Sequence, residues 1–270
     1  MSFDFSTVTN HTDRYNFHSH TQWCDGRDTA EHFAEAAVAA GMEVYGFSPH
    51  SPVPIVSPCN MSMGAVGQYL REIDRLRQLH GNRIRLLKSM EIDYLGPHWG
   101  PASPYFQQLP LDYRIGSIHF IAAQDGRLVD IDGRYESFRH KMTENFHDDI
   151  NYVVETFFDR TEDMICRGGF DIIGHIDKIS HNASHYKPGI DMEPWFEQRV
   201  QRVLEMCAAR GITVEINTKQ WDEHRRMFPD PKWMGLLKRL GVNVVINSDA
   251  HQPALINASR DEALRMLSEA

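Results

Sequence analysis

The sequence predicts an α/β fold in which parallel strands form a closed or nearly closed barrel. Short β-rich runs alternate with longer helical patterns about seven times along the chain, which is typical of a parallel sheet with right-handed crossovers. Most of the β-rich runs are continuously apolar and β-branched, as expected for strands buried on both faces. At 270 residues, with no linker rich in Pro, Gly or Ser, the chain suits one domain over residues 1–270.

The strand and helix boundaries follow from these patterns. The predicted strands are residues 14–20, 44–50, 84–94, 113–120, 170–176, 213–218 and 243–251. The predicted helices are residues 28–41, 63–81, 145–169, 192–211, 231–241 and 259–270. The first of these helices has Asp28 and Thr29 as capping candidates and ends at Gly41, in the position where glycine commonly follows a helix.

Charge and cysteine usage narrow the functional class. The net charge is −9 and the isoelectric point is about 5.9, which disfavours nucleic acid as the main partner. An anionic small substrate remains compatible, because bound cations can reverse the local sign of the charge. The four cysteines are scattered without a CxxC pair, as expected of reduced thiols in a cytosol. Without a visible signal peptide or a long apolar run, we expect a cytoplasmic protein with no membrane partner.

Metal-capable side chains recur at or near the carboxyl end of every predicted strand. They are His18, His20, His50, Glu91, His119, His175, Glu215, Asp249 and His251, and Asp25 follows the first strand. In a parallel barrel these strand ends form one rim, where the active site lies. A single strand histidine is more often structural than a ligand, but a structural role does not explain the same placement on every strand. We therefore expect these side chains to meet at one metal site.

The chemistry of these side chains limits the metal and the reaction. Imidazole and carboxylate ligands without thiolate suit Zn²⁺, Mn²⁺ or Fe²⁺. Two or three such ions form a clamp for in-line displacement at phosphorus, and a bridging hydroxide of lowered pKa supplies the nucleophile. The sequence contains no GxSxG elbow, no P-loop and no GxGxxG after a strand, which disfavours serine hydrolase, P-loop and dinucleotide-binding functions.

The ordered motifs resemble those of the polymerase-and-histidinol-phosphatase (PHP) superfamily. They read "HSHTQWCDG", "SPHSP", "MEID", "GSIHF", "DIIGHIDKI" and "NSDAH", and they span residues 18–251 in the family's order. The resemblance implies a distorted seven-stranded (β/α)7 barrel, PHP-type and TIM-like, with its metal site at the C-terminal rim of the strands. Within the superfamily, "GHIDKI" and "EINT" are most similar to the histidinol-phosphate phosphatases.

The resemblance also implies three divalent metal ions and assigns ligands to each. His18, His20, Glu91 and Asp249 would hold the first ion. His50 and His119, with Glu91 bridging, would hold the second, and Asp25, His175 and His251 would hold the third. Glu215 corresponds to an acidic residue that orients ligands rather than binding metal.

The implied activity is hydrolysis of L-histidinol phosphate to L-histidinol and phosphate, a step of histidine biosynthesis. Glu91, Asp249 and His251 are then the expected catalytic residues, and Asp249 or a nearby histidine would assist proton transfer. The family's arginines after "GHxD" and "EINT" are absent at those places. Lys178, His181, Arg225 and Arg226 are the remaining candidates to bind the phosphate, and residues 51–62 and 122–141 are expected to form the pocket walls. Another small phosphomonoester therefore remains open as the substrate.

Two other functions remain as alternatives. A phosphodiesterase or exonuclease of the same superfamily would act on nucleotides or nucleic-acid ends, but the acidic balance disfavours it. A metal-storing protein would also contain many histidines, but it would have its sites saturated by protein ligands, with no open position for substrate.

Overall fold

The computed structural model describes residues 3–270, and the strands within that range lie in three sheets. The strands are β1 (Tyr15–Asn16), β2 (Val44–Phe47), β3 (Arg85–Lys88), β4 (Glu91–Asp93), β5 (Ile115–Ser117), β6 (Phe120–Ala122), β7 (Leu128–Asp130), β8 (Ile172–Ile173), β9 (Thr213–Asn217) and β10 (Val244–Asn247). One sheet has the order β1-β2-β3 and a second has the order β10-β9-β8-β5-β4, both with all neighbours parallel. Strands β6 and β7 form an antiparallel pair.

Two isolated pairings connect the parallel sheets. Ser19, beyond β1, pairs with Ala250, beyond β10, and His50, beyond β2, pairs with Glu91 at the start of β4. Each of the seven predicted strand segments contains an observed strand, and residues 84–94 contain two, separated at Ser89 and Met90. The α/β class with parallel strands is therefore as expected from the sequence.

The β6–β7 hairpin was not predicted from the sequence. Residues 122–141 were expected to be a loop, but part of this segment turns back at Asp125 and Gly126 to form the hairpin. Gly126 has φ +85°, a backbone conformation that glycine adopts without strain. An Asp-Gly pair between apolar residues is a known hairpin signal, so the sequence did contain the information.

Helices connect the strands. They are α1 (Phe5–Thr9), α2 (Ala30–Ala39), α3 (Val66–His80), α4 (Pro104–Gln107), α5 (Tyr135–Phe146), α6 (Ile150–Arg167), α7 (Ile179–Tyr186), α8 (Pro194–Arg210), α9 (Trp221–His224), α10 (Met234–Leu240) and α11 (Arg260–Glu269). Four short 3₁₀ helices lie at Met63–Ala65, Ile190–Met192, Pro231–Trp233 and Pro253–Leu255. None of the helices in residues 3–270 combines the length and the apolar character that crossing a membrane requires.

The predicted helix over residues 145–169 is wrong at its beginning. Residues 145–146 are the end of α5, and the chain then breaks at His147 and Asp148, which both have positive φ. Asp149 starts α6 by accepting a hydrogen bond from the backbone N–H of Tyr152. The sequence pattern did not reveal this break, because two helices with similar amphipathic faces follow one another closely.

The apolar faces of the helices pack against the strands and against each other. The buried face of α6 includes Phe157 and Phe158, and the ring of Phe158 makes an edge contact with Phe196 of α8, with 5.2 Å between centroids. Such aromatic pairs add packing energy beyond the area that they bury. This apolar packing leaves the carboxyl ends of the parallel strands, with their polar side chains, to line a cavity.

Candidate metal centre

A cavity of about 910 Å³ lies at the carboxyl ends of the strands. Asp25, His50, His119 and His251 of the predicted ligands line it. His18, His20, Glu91, His175 and Asp249 lie beneath this lining, each at most 2% exposed. The structure thus brings all nine predicted ligands to one place, and they form overlapping groups of donor atoms.

The first donor group consists of His18, His20 and Asp249. The Nε2 atoms of His18 and His20 are 3.1 Å apart. The Oδ1 atom of Asp249 lies 3.1 Å from Nε2 of His20 and 3.8 Å from Nε2 of His18. Three donor atoms at this separation, in a fully buried site, can bind one cation.

The second donor group consists of Glu91, His119 and His175. The Oε1 atom of Glu91 lies 2.8 Å from Nε2 of His175 and 3.5 Å from Nε2 of His119. The other carboxylate oxygen, Oε2, lies 3.1 Å from Nδ1 of His50 and 3.3 Å from Nε2 of His18. The two oxygens of Glu91 therefore face different donor groups, which is the arrangement of a bridging ligand.

The third donor group joins Asp25 to His20, His50 and His251. The Oδ1 atom of Asp25 lies 3.4 Å from Nε2 of His251, 3.7 Å from Nδ1 of His20 and 3.8 Å from Nε2 of His50. This oxygen is buried and has no hydrogen-bond partner among the described residues. A buried carboxylate oxygen without a donor is costly unless a cation binds it, so these residues fit a metal ion.

This grouping differs from the one that the resemblance implied. His175 was assigned to a site with Asp25 and His251, but it lies with Glu91 and His119 instead. His175 also has φ +24°, an unfavourable conformation for a residue with a side chain. His50, assigned with His119 and Glu91, does group with His119, together with Asp93, and its Nδ1 lies 3.1 Å from Oε2 of Glu91. It also belongs to the group around Asp25.

Hydrogen bonds to the second ring nitrogen orient three of the histidines. Nδ1 of His18 lies 2.7 Å from Oε1 of Glu215, and Nδ1 of His119 lies 2.7 Å from Oδ1 of Asp93. Nδ1 of His251 lies 3.0 Å from the backbone oxygen of Asp249. Each contact directs Nε2 into the donor groups, as is common among metal-binding histidines. Glu215 thus has the orienting position that its motif implied.

The carboxylates and imidazoles shift one another's pKa values. Burial alone raises the pKa of Glu91, but His18, His119 and His50 hold it well below its usual value. Burial also raises the pKa of Asp249, and Lys219 and His18 outweigh this effect and lower it. Burial lowers the pKa of His20, and His251 and His50 lower it further. Ionised carboxylates beside a neutral imidazole are the state that binds a cation.

Two other histidines have raised pKa values. Burial alone lowers the pKa of His18, but the carboxylates of Glu215, Asp249 and Glu91 raise it well above its usual value. Burial likewise lowers the pKa of His119, which Glu91 and Asp93 raise to about 9. These carboxylates attract a proton strongly, and they attract a divalent cation in the same way.

A glycine makes the position of Asp25 possible. A Cβ atom on Gly26 would lie 2.3 Å from the backbone carbon and oxygen of His20. The chain therefore folds back against its own preceding strand only with glycine at this place. In the same turn, the backbone N–H of Arg27 donates a hydrogen bond to the backbone oxygen of His251, with 2.9 Å between the two atoms.

The two predicted phosphate-binding arginines lie away from the cavity. Arg225 is exposed and contacts the ring of Trp221, in a separate surface depression. The guanidinium of Arg226 binds Asp191 at 3.0 Å and Ser184 at 2.8 Å. Neither arginine is among the residues that line the cavity, contrary to the prediction, and Arg225 ends α9 in a left-handed conformation. Lys178 and His181 do line the cavity, and Lys178 pairs with Asp132 at 2.7 Å.

Two charged residues of the site, Asp93 and Lys219, were not among the residues predicted from the sequence. Asp93 lies two residues after Glu91 in the same strand, so the alternation of a strand could have placed it on the same face. Lys219 directly follows the "VEINT" segment that includes β9. Its Nζ lies 3.2 Å from Nε2 of His251 and 3.4 Å from both carboxylate oxygens of Asp249.

Comparison with known proteins gives two relatives by sequence. A protein of Deinococcus radiodurans named "probable histidinol-phosphatase" is 25% identical over 261 residues, covering 93% of this chain and 92% of that protein. A protein of Schizosaccharomyces pombe with the same name is 23% identical over 255 residues, covering 87% of this chain and 80% of that protein.

Two solved structures resemble the fold. A candidate histidinol phosphatase from Listeria monocytogenes superposes with a TM-score of 0.80 at 18% identity, over 92% of this chain and 99% of that chain. The histidinol phosphate phosphatase of Lactococcus lactis, solved with zinc, L-histidinol and phosphate, has a TM-score of 0.70 at 17% identity, over 94% of this chain and 92% of that one. The model of the PHP domain matches residues 16–219, and the chain belongs to the PHP domain family.

Proposed function

We propose that this protein is a metal-dependent phosphatase that hydrolyses L-histidinol phosphate to L-histidinol and phosphate. The observation that carries the proposal is the convergence of nine imidazole and carboxylate side chains from separate strand ends at one cavity. Both sequence relatives are named histidinol-phosphatases, and the Lactococcus lactis structure contains zinc, L-histidinol and phosphate. The donor set without thiolate suits Zn²⁺, Mn²⁺ or Fe²⁺.

We further propose three metal positions, one for each of the three donor groups described above; the group of His50, Asp93 and His119 shares its histidines with two of them. His18, His20 and Asp249 would hold one ion, Glu91, His119 and His175 a second, and Asp25, His50 and His251 a third. Divalent ions at these positions would supply positive charge for the phosphate oxygens and would lower the pKa of water. Glu91 bridges two groups through its two oxygens.

Glu91, Asp249 and His251 remain the proposed catalytic residues. Asp249 and His251 lie beside each other at the cavity, with 3.5 Å between Oδ1 and Nδ1. His251 is 17% exposed through its side chain and Asp249 only 2%, so His251 is the one that an entering substrate reaches. Either side chain can hold or transfer a proton near the phosphate ester.

The architecture belongs to the same proposal. We propose that the parallel strands form one distorted barrel of seven strand positions and that residues 1–270 form a single domain. The pairings of Ser19 with Ala250 and of His50 with Glu91 support it, because they link the two parallel sheets. The four unpaired cysteines are in keeping with a cytoplasmic enzyme.

Metal removal and a panel of substrates test the function. The protein is stripped with a chelator, reloaded with Zn²⁺, Mn²⁺ or Fe²⁺, and assayed with histidinol phosphate, other small phosphomonoesters, a nucleotide phosphodiester and single-stranded DNA. We expect activity only after reloading, with histidinol phosphate turned over fastest. No phosphatase activity with any ester would refute the proposal, and faster cleavage of the diester or DNA would favour the phosphodiesterase alternative.

A matched pair of variants assigns the activity to the site. Asp249→Asn removes a carboxylate charge from the donor groups, whereas Asp159→Asn removes one from a side chain that is 70% exposed and pairs with Arg199. We expect the first to lose metal and activity and the second to keep both.

A further inference from the structure

Four cationic side chains line the cavity among the described residues: Arg27, Arg134, Lys178 and Lys219. Only Lys219 has its charged atom within hydrogen-bonding distance of candidate metal ligands. Lys178, by contrast, pairs with Asp132, which is in none of the donor groups. Lys219 therefore differs from its neighbours in the identity of its partners.

The partners of Lys219 are atoms that a metal ion would use. Its Nζ contacts both oxygens of Asp249 and Nε2 of His251, and these atoms belong to two of the donor groups. A divalent cation bound there attracts the same lone pairs and repels the ammonium group. In the metal-loaded protein, Lys219 therefore needs another acceptor for its three N–H donors.

An anion in the cavity is such an acceptor. The side chain of Lys219 is 30% exposed, and lysine carries its charge on a flexible four-carbon stem. Lys219 already lines the cavity, so rotation about its side-chain bonds would let Nζ reach an anion there. A phosphate group held between the metal positions would then lie beside this ammonium group.

We infer that Lys219 binds the phosphate group of the substrate, a role predicted for Arg225 and Arg226, which are not among the residues that line the cavity. This inference rests on the proposed phosphatase function and names a substrate-binding residue for it. The lysine acts as a point charge on the phosphate rather than as a two-pronged clamp. The interaction is with the phosphate, so it is independent of the group to which the phosphate is esterified.

Binding of inorganic phosphate to metal-loaded protein tests the inference directly. The variants are Lys219→Met, which removes the charge at similar length, and Lys219→Arg, which restores it. Lys187→Met is the control, because this lysine pairs with Glu193 at the surface and is 43% exposed. We expect calorimetry to give a dissociation constant for phosphate at least tenfold higher in Lys219→Met, within about threefold of the wild type in Lys219→Arg, and unchanged in the control.

Two further measurements separate phosphate binding from support of the metal ligands. The metal content per chain should be unchanged in Lys219→Met, and the KM values for histidinol phosphate and for a simple aryl phosphate should rise by the same factor. Unchanged phosphate affinity, or loss of metal from the variant, would overturn the inference. If the wild type binds phosphate through Lys219 but hydrolyses no ester, the proposed function fails and the binding role of Lys219 stands.

Discussion

Asp93 and His119 form a buried pair in which Nδ1 of the histidine lies 2.7 Å from Oδ1 of the aspartate. The other oxygen, Oδ2, accepts a hydrogen bond from the amide of Asn60 at 2.8 Å. The aspartate thus holds the ring of His119 with Nε2 toward Glu91 and His175. Such partners of metal-binding histidines commonly change metal affinity by roughly 10–100-fold when they are replaced.

We therefore expect Asp93→Asn to weaken metal binding by about tenfold or more. An asparagine offers only one acceptor oxygen, so it cannot satisfy both His119 and the Asn60 amide. Competition with a chelating dye measures the affinity. The control is Asp159→Asn at the surface, and equal metal affinities in the two variants would contradict the orienting role of Asp93.

Glu215 accepts four hydrogen bonds in the interior. Its Oε1 faces Nδ1 of His18 and the amide of Asn247, and its Oε2 accepts from the backbone N–H of His175 and the amide of Asn217. Glu215→Gln would replace one acceptor by a donor and leave two groups unpaired. We expect the free energy of unfolding to fall by roughly 2–4 kcal/mol, measured by urea denaturation in the presence of a chelator.

A matched surface variant accompanies that measurement. Glu205→Gln makes the same chemical change at a side chain that contacts Gln201 one helical turn away. We expect its unfolding free energy to stay within about 0.5 kcal/mol of the wild type. If Glu215→Gln lowers the free energy of unfolding by no more than Glu205→Gln does, the four hydrogen bonds of Glu215 contribute little to stability.

Gly26→Ala should disturb the loop that carries Asp25. The added Cβ would lie 2.3 Å from backbone atoms of His20 and Thr21, so the backbone must move. We expect weaker metal binding at the Asp25 group and a loss of stability of about 1–3 kcal/mol, measured by metal titration and thermal unfolding. Gly64→Ala is the control, since no atom lies within 4 Å of a Cβ there.

The cysteines should differ in reactivity. Burial raises the pKa of the Cys207 thiol to about 12, so almost no thiolate is present near pH 8. Cys166 is exposed. We expect a thiol reagent to modify Cys166 rapidly in the folded protein and Cys207 only after unfolding, as mass spectrometry of peptides can measure. Rapid modification of Cys207 in the native protein would argue against its buried position.

The convergence of these imidazole and carboxylate side chains was predictable, but the way in which they group was not. The strand pattern was enough to place His18, Glu91 and His119 at strand ends, because parallel strands bring these ends together. The position of His175 depends on a positive φ of 24°, and that of Asp25 on the tight return at Gly26. Neither feature is encoded in hydrophobic periodicity, so the sequence could not distribute the ligands among the ions.

Lys219, the proposed phosphate-binding residue, was not predicted from the sequence, for a related reason. The spacing of the motifs predicted that Arg225 and Arg226 bind the phosphate. In the structure Arg225 ends the short helix α9 in a left-handed conformation, and Arg226 binds Asp191. Lys219 lies two residues after the end of β9 and lines the cavity. For predicting which cationic side chain lies at the cavity, closeness to a strand end was therefore more informative than whether the residue is an arginine or a lysine.

The pairing of Ser19 with Ala250 has a consequence for how the protein acquires metal during its synthesis. The backbone N–H of His20 binds the oxygen of Ala250 at 2.8 Å, and the first donor group combines His18 and His20 with Asp249. Asp249 belongs to the first donor group and His251 to the third. Both groups therefore remain incomplete until the segment around residue 250 has left the ribosome. We therefore expect metal loading to be a late event, in which an ion bound at these groups would join segments of the chain that were made at opposite ends of translation.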